Sequence, residues 1–353
     1  MNCKNQGKNN QIQFLRAVFC LFIIFYHFTV RYAELYSVDN LFNNNFFALF
    51  SHIGITSFFI ISGYYLIRRG SDCRTAGRVI YWFKRFLNIY LPYFVAVILI
   101  YLFSLTGLFG ATRTVSFPGF VQNLFFINQL TGAPMVDGAH WYVFALLCLY
   151  FVAFVYDLLF RKNDEYGFMF WVLLLVVSVT SLLIEKNIDC GSFLNRAFKF
   201  FNFFLCRGYF PYVFIGIFFY YLDYDKIKCR KNCILIGAVL LSLFYVVFDD
   251  WVYLILALCS STLIMLALFR KLSCLEKIKP FVLLGNASYS VYLLHQNIGY
   301  MLLNLFTKAI SYYLALVFVI AIAIMLGVAF FVFVEKNIKK ITTVCFDRQK
   351  ETH

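Results

Sequence analysis

Arg16 and His27 lie eleven residues apart in FLRAVFCLFIIFYH, a stretch that is otherwise almost wholly apolar. At 100° per residue, eleven residues come to within about 20° of three full turns. Both side chains therefore share one stripe of a helix, roughly 16 Å apart along its axis. Ionisable groups inside an apolar helix are costly and mark functional sites. A guanidinium matches the geometry of phosphate, and an imidazole exchanges a proton near neutral pH. The pair reads as an anion holder and a proton acceptor facing one interior. The competing reading makes Arg16 a snorkelling arginine at an interface and His27 a hydrogen-bonded histidine of a helix bundle.

Polar points recur on other apolar stretches. His52, Thr56 and Ser57 precede FFIISG from Phe58, and Arg68 and Arg69 follow it. Lys84-Arg85-Phe86-Leu87-Asn88 leads into a stretch containing Pro92. His140-Trp141-Tyr142 opens another, Asn286-Ala287-Ser288-Tyr289 precedes His295, and Glu335-Lys336 closes the last. Each admits a structural reading alone: aromatics as an interface belt, Ser and Gly as close helix packing, loop arginines as topology determinants.

The elements that must position these residues are membrane helices. The chain is 62% hydrophobic and 14% charged, with 46 Phe and 25 Tyr, against about a quarter charged for soluble domains. Spanning a hydrocarbon core takes about 20 mostly apolar helical residues. Ten stretches qualify: 13–31, 46–67, 88–106, 139–160, 168–185, 209–223, 232–248, 251–269, 285–306 and 311–334. Residues 209–223 are short, and only Asp249-Asp250 separates the seventh from the eighth. The apolar segment 117–130 is too short to span and reads as interfacial or re-entrant. The loop 186–208 carries basic and aromatic residues suited to an amphipathic helix on the membrane surface. With the N-terminus cytoplasmic, 23 of the 31 Lys and Arg fall in inner segments and seven in outer ones. That alternation predicts both termini in the cytoplasm. The net charge of +14 then reports topology and contact with anionic headgroups, not nucleic acid. The first stretch has a basic leader but no small-x-small cleavage site, and it keeps Arg16 and His27, so it reads as a retained helix. The eleven cysteines contain no CxxC pair and no metal set; a Cys190–Cys206 disulfide across one outer loop stays open. No soluble domain or long linker interrupts residues 1–353, which read as one all-α membrane domain.

This topology sorts the polar points by depth. Arg16, Arg68, Arg69, Arg85 and Ser288 fall toward the cytoplasm; His27, His52 and His140 fall in the outer half; His295 lies near mid-depth. The layout suits an anionic cosubstrate from the cytoplasm and proton chemistry further in.

At this point the chain resembles the integral-membrane acyltransferase family 3, whose members acylate hydroxyls of cell-surface glycans, commonly with acetyl from acetyl-CoA. The resemblance rests on Arg16-x10-His27, FFIISGYYL from Phe58, KRFLNIYLPY from Lys84, His140-Trp141-Tyr142, LGNASYSVYLLHQ from Leu284 and FVEKN from Phe333. It covers nearly the whole chain. It implies donor-binding and catalytic roles for Arg16 and His27, and acetyl-CoA binding aided by Arg68, Arg69, Arg85 and Ser288. It also implies glycan binding near His52, His140, Trp141, Tyr142 and His295, no metal, no tightly bound cofactor, and residence in a bacterial inner membrane. The family often carries a second arginine three residues after the first at the start of the third helix; here Asn88 follows Arg85. No GxSxG elbow is present, so direct transfer with His27 as general base is expected over a serine acyl-enzyme. The other class in play is a transporter or flippase of glycan or lipid intermediates, but it would more often show inverted repeats and Gly/Pro-broken helices. The acceptor glycan, the acyl chain and a homodimer stay open.

Overall fold

A computed structural model describes residues 9–67, 75–107, 114–160, 164–187, 192–223 and 229–351. Among the described residues every regular element is helical. In chain order they are α1 (Asn10–Tyr26), α2 (Tyr32–Tyr36), α3 (Asn45–Leu66), α4 (Thr75–Ser104), α5 (Phe117–Leu124), α6 (Asn128–Thr131), α7 (Trp141–Phe160), α8 (Asp164–Asn187) and α9 (Ser192–Phe204). There follow α10 (Phe210–Asp223), α11 (Cys229–Asp249), α12 (Trp251–Leu268), α13 (Lys279–Phe306), α14 (Tyr312–Phe330) and α15 (Lys336–Glu351). Two π-helical turns, His27–Arg31 and Phe331–Glu335, join α1 to α2 and α14 to α15 without a break.

Among the described residues, seven helices are long and apolar enough to cross a membrane: Asn10–Tyr36, Asn45–Leu66, Gly77–Ser104, Gly138–Phe160, Gly167–Asn187, Trp251–Leu268 and Tyr312–Phe346. Leu173, Phe151, Val317 and Met325, on three of these helices, are well exposed, as expected of side chains that face lipid. Shorter apolar helices occupy Phe210–Asp223 and Ile236–Val246. At 28 residues α13 is long enough, but Asn286, Ser288, Ser290, His295, Gln296 and Asn297 dilute its apolar character. Its residues from Leu284 to Met301 are almost all buried, so protein rather than lipid surrounds these polar groups.

Residues 117–130 form the short helices α5 and α6, held by Tyr90 and Tyr93 of α4, whose hydroxyls donate to the Leu124 and Asn123 carbonyls. The loop read as amphipathic contains α9. The Cys206 thiol is free and donates to the Ala145 carbonyl at 3.8 Å; Cys190 lies outside the described residues.

The chain divides into two compact units that alternate along the sequence. The first comprises Met1–Ile12, Ile55–Trp82 and Ala145–Ser273. In it α3 and α10 run parallel. Phe59 stacks on Tyr209 at 5.0 Å, and the Tyr64 hydroxyl donates to Asp223 at 2.6 Å. Gly63 meets the Val213 backbone and Gly216 the Ile60 carbonyl, each so closely that a Cβ would clash at about 2 Å. The outer contacts, Phe59 with Tyr209 and Tyr64 with Asp223, climb both helices together, which fixes the direction. Trp82 donates its indole N–H to the buried Asp157 carboxylate at 3.1 Å.

The second unit comprises Gln13–Gly54, Phe83–Phe144 and Cys274–His353. Here α1 runs parallel to α13, whereas α15 runs antiparallel to α4. Thr342 donates to Asn88 Oδ1 at 2.8 Å, and Phe346 meets Phe83 five residues earlier on α4, edge to face.

Candidate active site

The stripe on α1 faces a matching stripe on α13. Gln13 meets Gly285, where a Cβ would lie 1.7 Å from the Gln13 carbonyl oxygen. One to two turns on, the Cys20 thiol donates to the Ser288 carbonyl at 3.8 Å. Further along, the His27 and His295 rings lie 5.0 Å apart between centroids. Phe28 packs on Gly299, and the Tyr32 hydroxyl donates to Asn304 at 2.7 Å. On α1, positions 13, 16, 20 and 27 share one face; on α13, positions 285, 288, 292, 295 and 299 do. The result is a polar seam between two parallel helices, held close by a glycine at each end. Arg16 stands at one end with Nη1 donating to Gln13 Oε1 at 3.3 Å, and the two imidazoles stand at the other. The α-helical turn persists through Tyr26, so the sequence-derived stripe holds up to His27, where the π-turn begins. Such turns recur at functional sites.

Hydrogen bonding fixes the proton on His295. Its Nδ1 lies 2.8 Å from the Tyr292 carbonyl oxygen. A carbonyl only accepts, so Nδ1 carries the hydrogen and Nε2 presents a lone pair. That Nε2 is buried without a hydrogen-bond partner. The Ser288 hydroxyl is likewise buried and unpartnered. Buried polar atoms are ordinarily satisfied, so both atoms are open to a further polar partner along the seam.

The segment Val136–His140 locks onto α13 beside His295. His140 Nε2 donates to the Leu293 carbonyl at 3.0 Å, which fixes the other nitrogen of this imidazole as an acceptor. Asp137 is fully buried. Its Oδ1 accepts from Ala139 N at 2.9 Å and its Oδ2 from Asn297 N at 3.0 Å. Asn297 Nδ2 donates to the Val136 carbonyl, and the Tyr292 hydroxyl donates to the Ala139 carbonyl. The helical rung between Leu293 C=O and Asn297 N–H is thus approached from both ends by one short loop.

The other sequence-derived residues are placed as follows. Tyr142 is buried, with its ring edge-to-face on Tyr292 at 5.7 Å; Trp141 is half-buried beside it. His52 is half-buried on α3, two residues before Gly54, where α3 meets Phe19 and Ile23 of α1. Arg85 is half-buried on α4. Asn88, at the place of the family's second arginine, accepts from Thr342 of α15 and so ties helices together. Arg68 and Arg69 lie outside the described residues. Sequence reasoning missed Asp137, Tyr292 and Asn297. The one signal was that Asp137 is the only acidic residue between 73 and 156.

Among the described residues the protein is all-helical, with apolar helices of membrane-crossing length, and its seam carries an arginine and two facing imidazoles, His295 buried and His27 half-buried. The family model described as an acyltransferase domain, that of acyltransferase family 3, matches residues 9–334. The chain belongs to that family and is a multi-pass membrane acyltransferase. No curated protein and no solved structure matches it.

Proposed function

We propose that the whole chain is a single membrane O-acyltransferase domain that moves a short acyl group, acetyl first of all, from acyl-CoA to a hydroxyl of a cell-surface polysaccharide or its lipid-linked precursor. The observation that carries this reading is the imidazole pair His27 and His295 on one seam with Arg16 and the unpartnered Ser288 hydroxyl. In the reaction the acceptor oxygen attacks the thioester carbonyl carbon while His27 takes its proton. The C–S bond then breaks and the proton passes to the departing thiolate. His295, with its lone pair on Nε2, stands beside His27 as the second proton acceptor. Arg16 and Ser288, with Arg85, Arg68 and Arg69, hold the acyl-CoA. His52, His140, Trp141 and Tyr142 line the acceptor's side. Enclosure of the seam keeps water from the thioester.

Ten crossings of the cell (inner) membrane, with both ends cytoplasmic, fit this function. Helix direction supports the count. If only the seven long apolar helices crossed, α4 would be the third crossing and the C-terminal helix the seventh, and the two would run parallel. They run antiparallel. Adding α10, α11 and α13 makes the C-terminal helix the tenth, α13 the ninth and α10 the sixth. Every helix pair above then has its observed direction.

The test compares wild type with His27→Ala for transfer of radiolabelled acetyl from acetyl-CoA into a membrane extract containing native glycans. General-base loss lowers turnover by about 10²–10⁴-fold in protein that remains monodisperse. Undiminished label in glycan would remove His27 from catalysis. No label with either protein would send the donor assignment back to other acyl-CoAs.

A further inference from the structure

The five residues Val136–His140 all touch the turn of α13 that carries His295. Val136 accepts from the Asn297 side chain, Asp137 from the Asn297 backbone, Ala139 from the Tyr292 hydroxyl, and His140 donates to the Leu293 carbonyl. Gly138 lies against the Gln296 amide, where a Cβ would meet Nε2 at 3.1 Å. The contacted residues, 292, 293, 296 and 297, bracket His295. None of these contacts falls on the His295 ring, whose Nδ1–H is spent inside the turn on Tyr292. The loop therefore grips the frame that carries the imidazole and leaves its Nε2 face free. Asp137 is the common member. One oxygen caps the loop's own turn at Ala139 and the other reaches the α13 backbone at Asn297. Both oxygens accept from backbone N–H groups, so an amide in its place would bring two donors together at one of them.

We propose that Asp137 is a positioning residue for acyl transfer, a role that presupposes the acyl-transfer reading of the site: its carboxylate bridges the Val136–His140 loop to α13 and sets the angle at which His295 faces His27. Side-chain placement within a few tenths of an ångström governs turnover more than donor affinity, because the donor's phosphates are held at the other end of the seam, at Arg16. Removing the bridge therefore lowers kcat and spares KM for acetyl-CoA.

The test is steady-state kinetics of Asp137→Ala and Asp137→Asn, per monodisperse molecule by size-exclusion chromatography, with His27→Ala alongside. Both variants should lose about 10- to 100-fold in kcat with KM for acetyl-CoA within threefold of wild type, and Asn should not rescue. Wild-type kcat in either variant overturns the proposal. So does a KM that rises in step with the fall in kcat, and so does loss of monodisperse protein in both variants, which assigns Asp137 to the fold alone. The control separates the two levels. Transfer that survives His27→Ala refutes the reading of the site, whereas transfer lost in His27→Ala and kept in the Asp137 variants refutes only the positioning role.

Discussion

One methyl group at Gly285 should separate donor binding from turnover. A Cβ there would stand 1.7 Å from the Gln13 carbonyl oxygen, 2.5 Å from its carbon and 2.9 Å from its Cα. These are backbone atoms of α1, so no side chain can swing away. Real Cβ atoms keep about 3.0 Å from such neighbours, so α1 and α13 must part by roughly 1.3 Å at this point. The other end of the seam is pinned where Phe28 packs on Gly299, about 21 Å along α13 at 1.5 Å per residue. If that contact acts as the pivot, Ser288 moves by about 1 Å against α1, and His295, about 6 Å from the pivot, by about 0.4 Å. A 1 Å misplacement costs about 10²-fold; in proportion, 0.4 Å costs about sixfold. Gly285→Ala should therefore raise KM for acetyl-CoA by tens of fold while kcat falls about sixfold. Overpacking should also cost about 1–3 kcal/mol of stability. Gly299→Ala, whose Cβ would strike the Phe28 ring at 2.2 Å, should reverse the pattern and fall mainly on kcat. Gly237→Ala is the control. Nothing lies within 4 Å of its Cβ position on α11, and alanine there gains up to about 1 kcal/mol of helix propensity. The assay is acetyl transfer at varied acetyl-CoA, with thermal unfolding in detergent. Gly285→Ala behaving like Gly237→Ala, or losing kcat at constant KM, would refute the seam as the site of donor and proton chemistry.

Two further substitutions test the ends of this scheme. Arg16→Gln keeps a hydrogen-bonding amide but removes the charge. Hydrogen bonds to charged groups are worth about 1.5–3 kcal/mol, so KM for acetyl-CoA should rise about 10- to 150-fold with kcat at saturation nearly kept; an unchanged KM would return Arg16 to the role of interface anchor. In the first unit, Asp157→Leu removes the buried acceptor of the Trp82 indole and should lower stability by about 1–3 kcal/mol. Activity per folded molecule should hold, and a loss of turnover without a loss of melting temperature would give Asp157 a part in the chemistry.

What the sequence made legible follows from what periodicity can carry. Arg16 and His27 were readable as a pair because α1 stays α-helical from Arg16 through Tyr26, so a spacing of eleven keeps its geometric meaning up to the π-turn that opens at His27. The helices themselves were readable because lipid demands long apolar runs, and residues 285–306 were recognisable as a helix even though their polar side chains thin the apolar signal. The polar content that weakens that signal is the reason the helix matters, since α13 sets Ser288 and His295 on the face toward α1, Asn297 against loop 136–140 and Ser290 against Glu335. The partner of each polar group was beyond reach. His295 follows His27 by 268 positions, and Asn297 follows Asp137 by 160. No local pattern links residues so far apart, and GAPMVDGAH reads only as a turn-rich loop. Asn88 is the instructive case in the other direction. Family pattern led one to look there for a cation, yet the side chain accepts a hydrogen bond from Thr342 and fastens α15 to α4. An arginine at that position would need that acceptor's place and would loosen α15. On the proposed reading donor binding leans on the seam arginine, so the Arg16→Gln effect on KM should exceed that of Arg85→Gln.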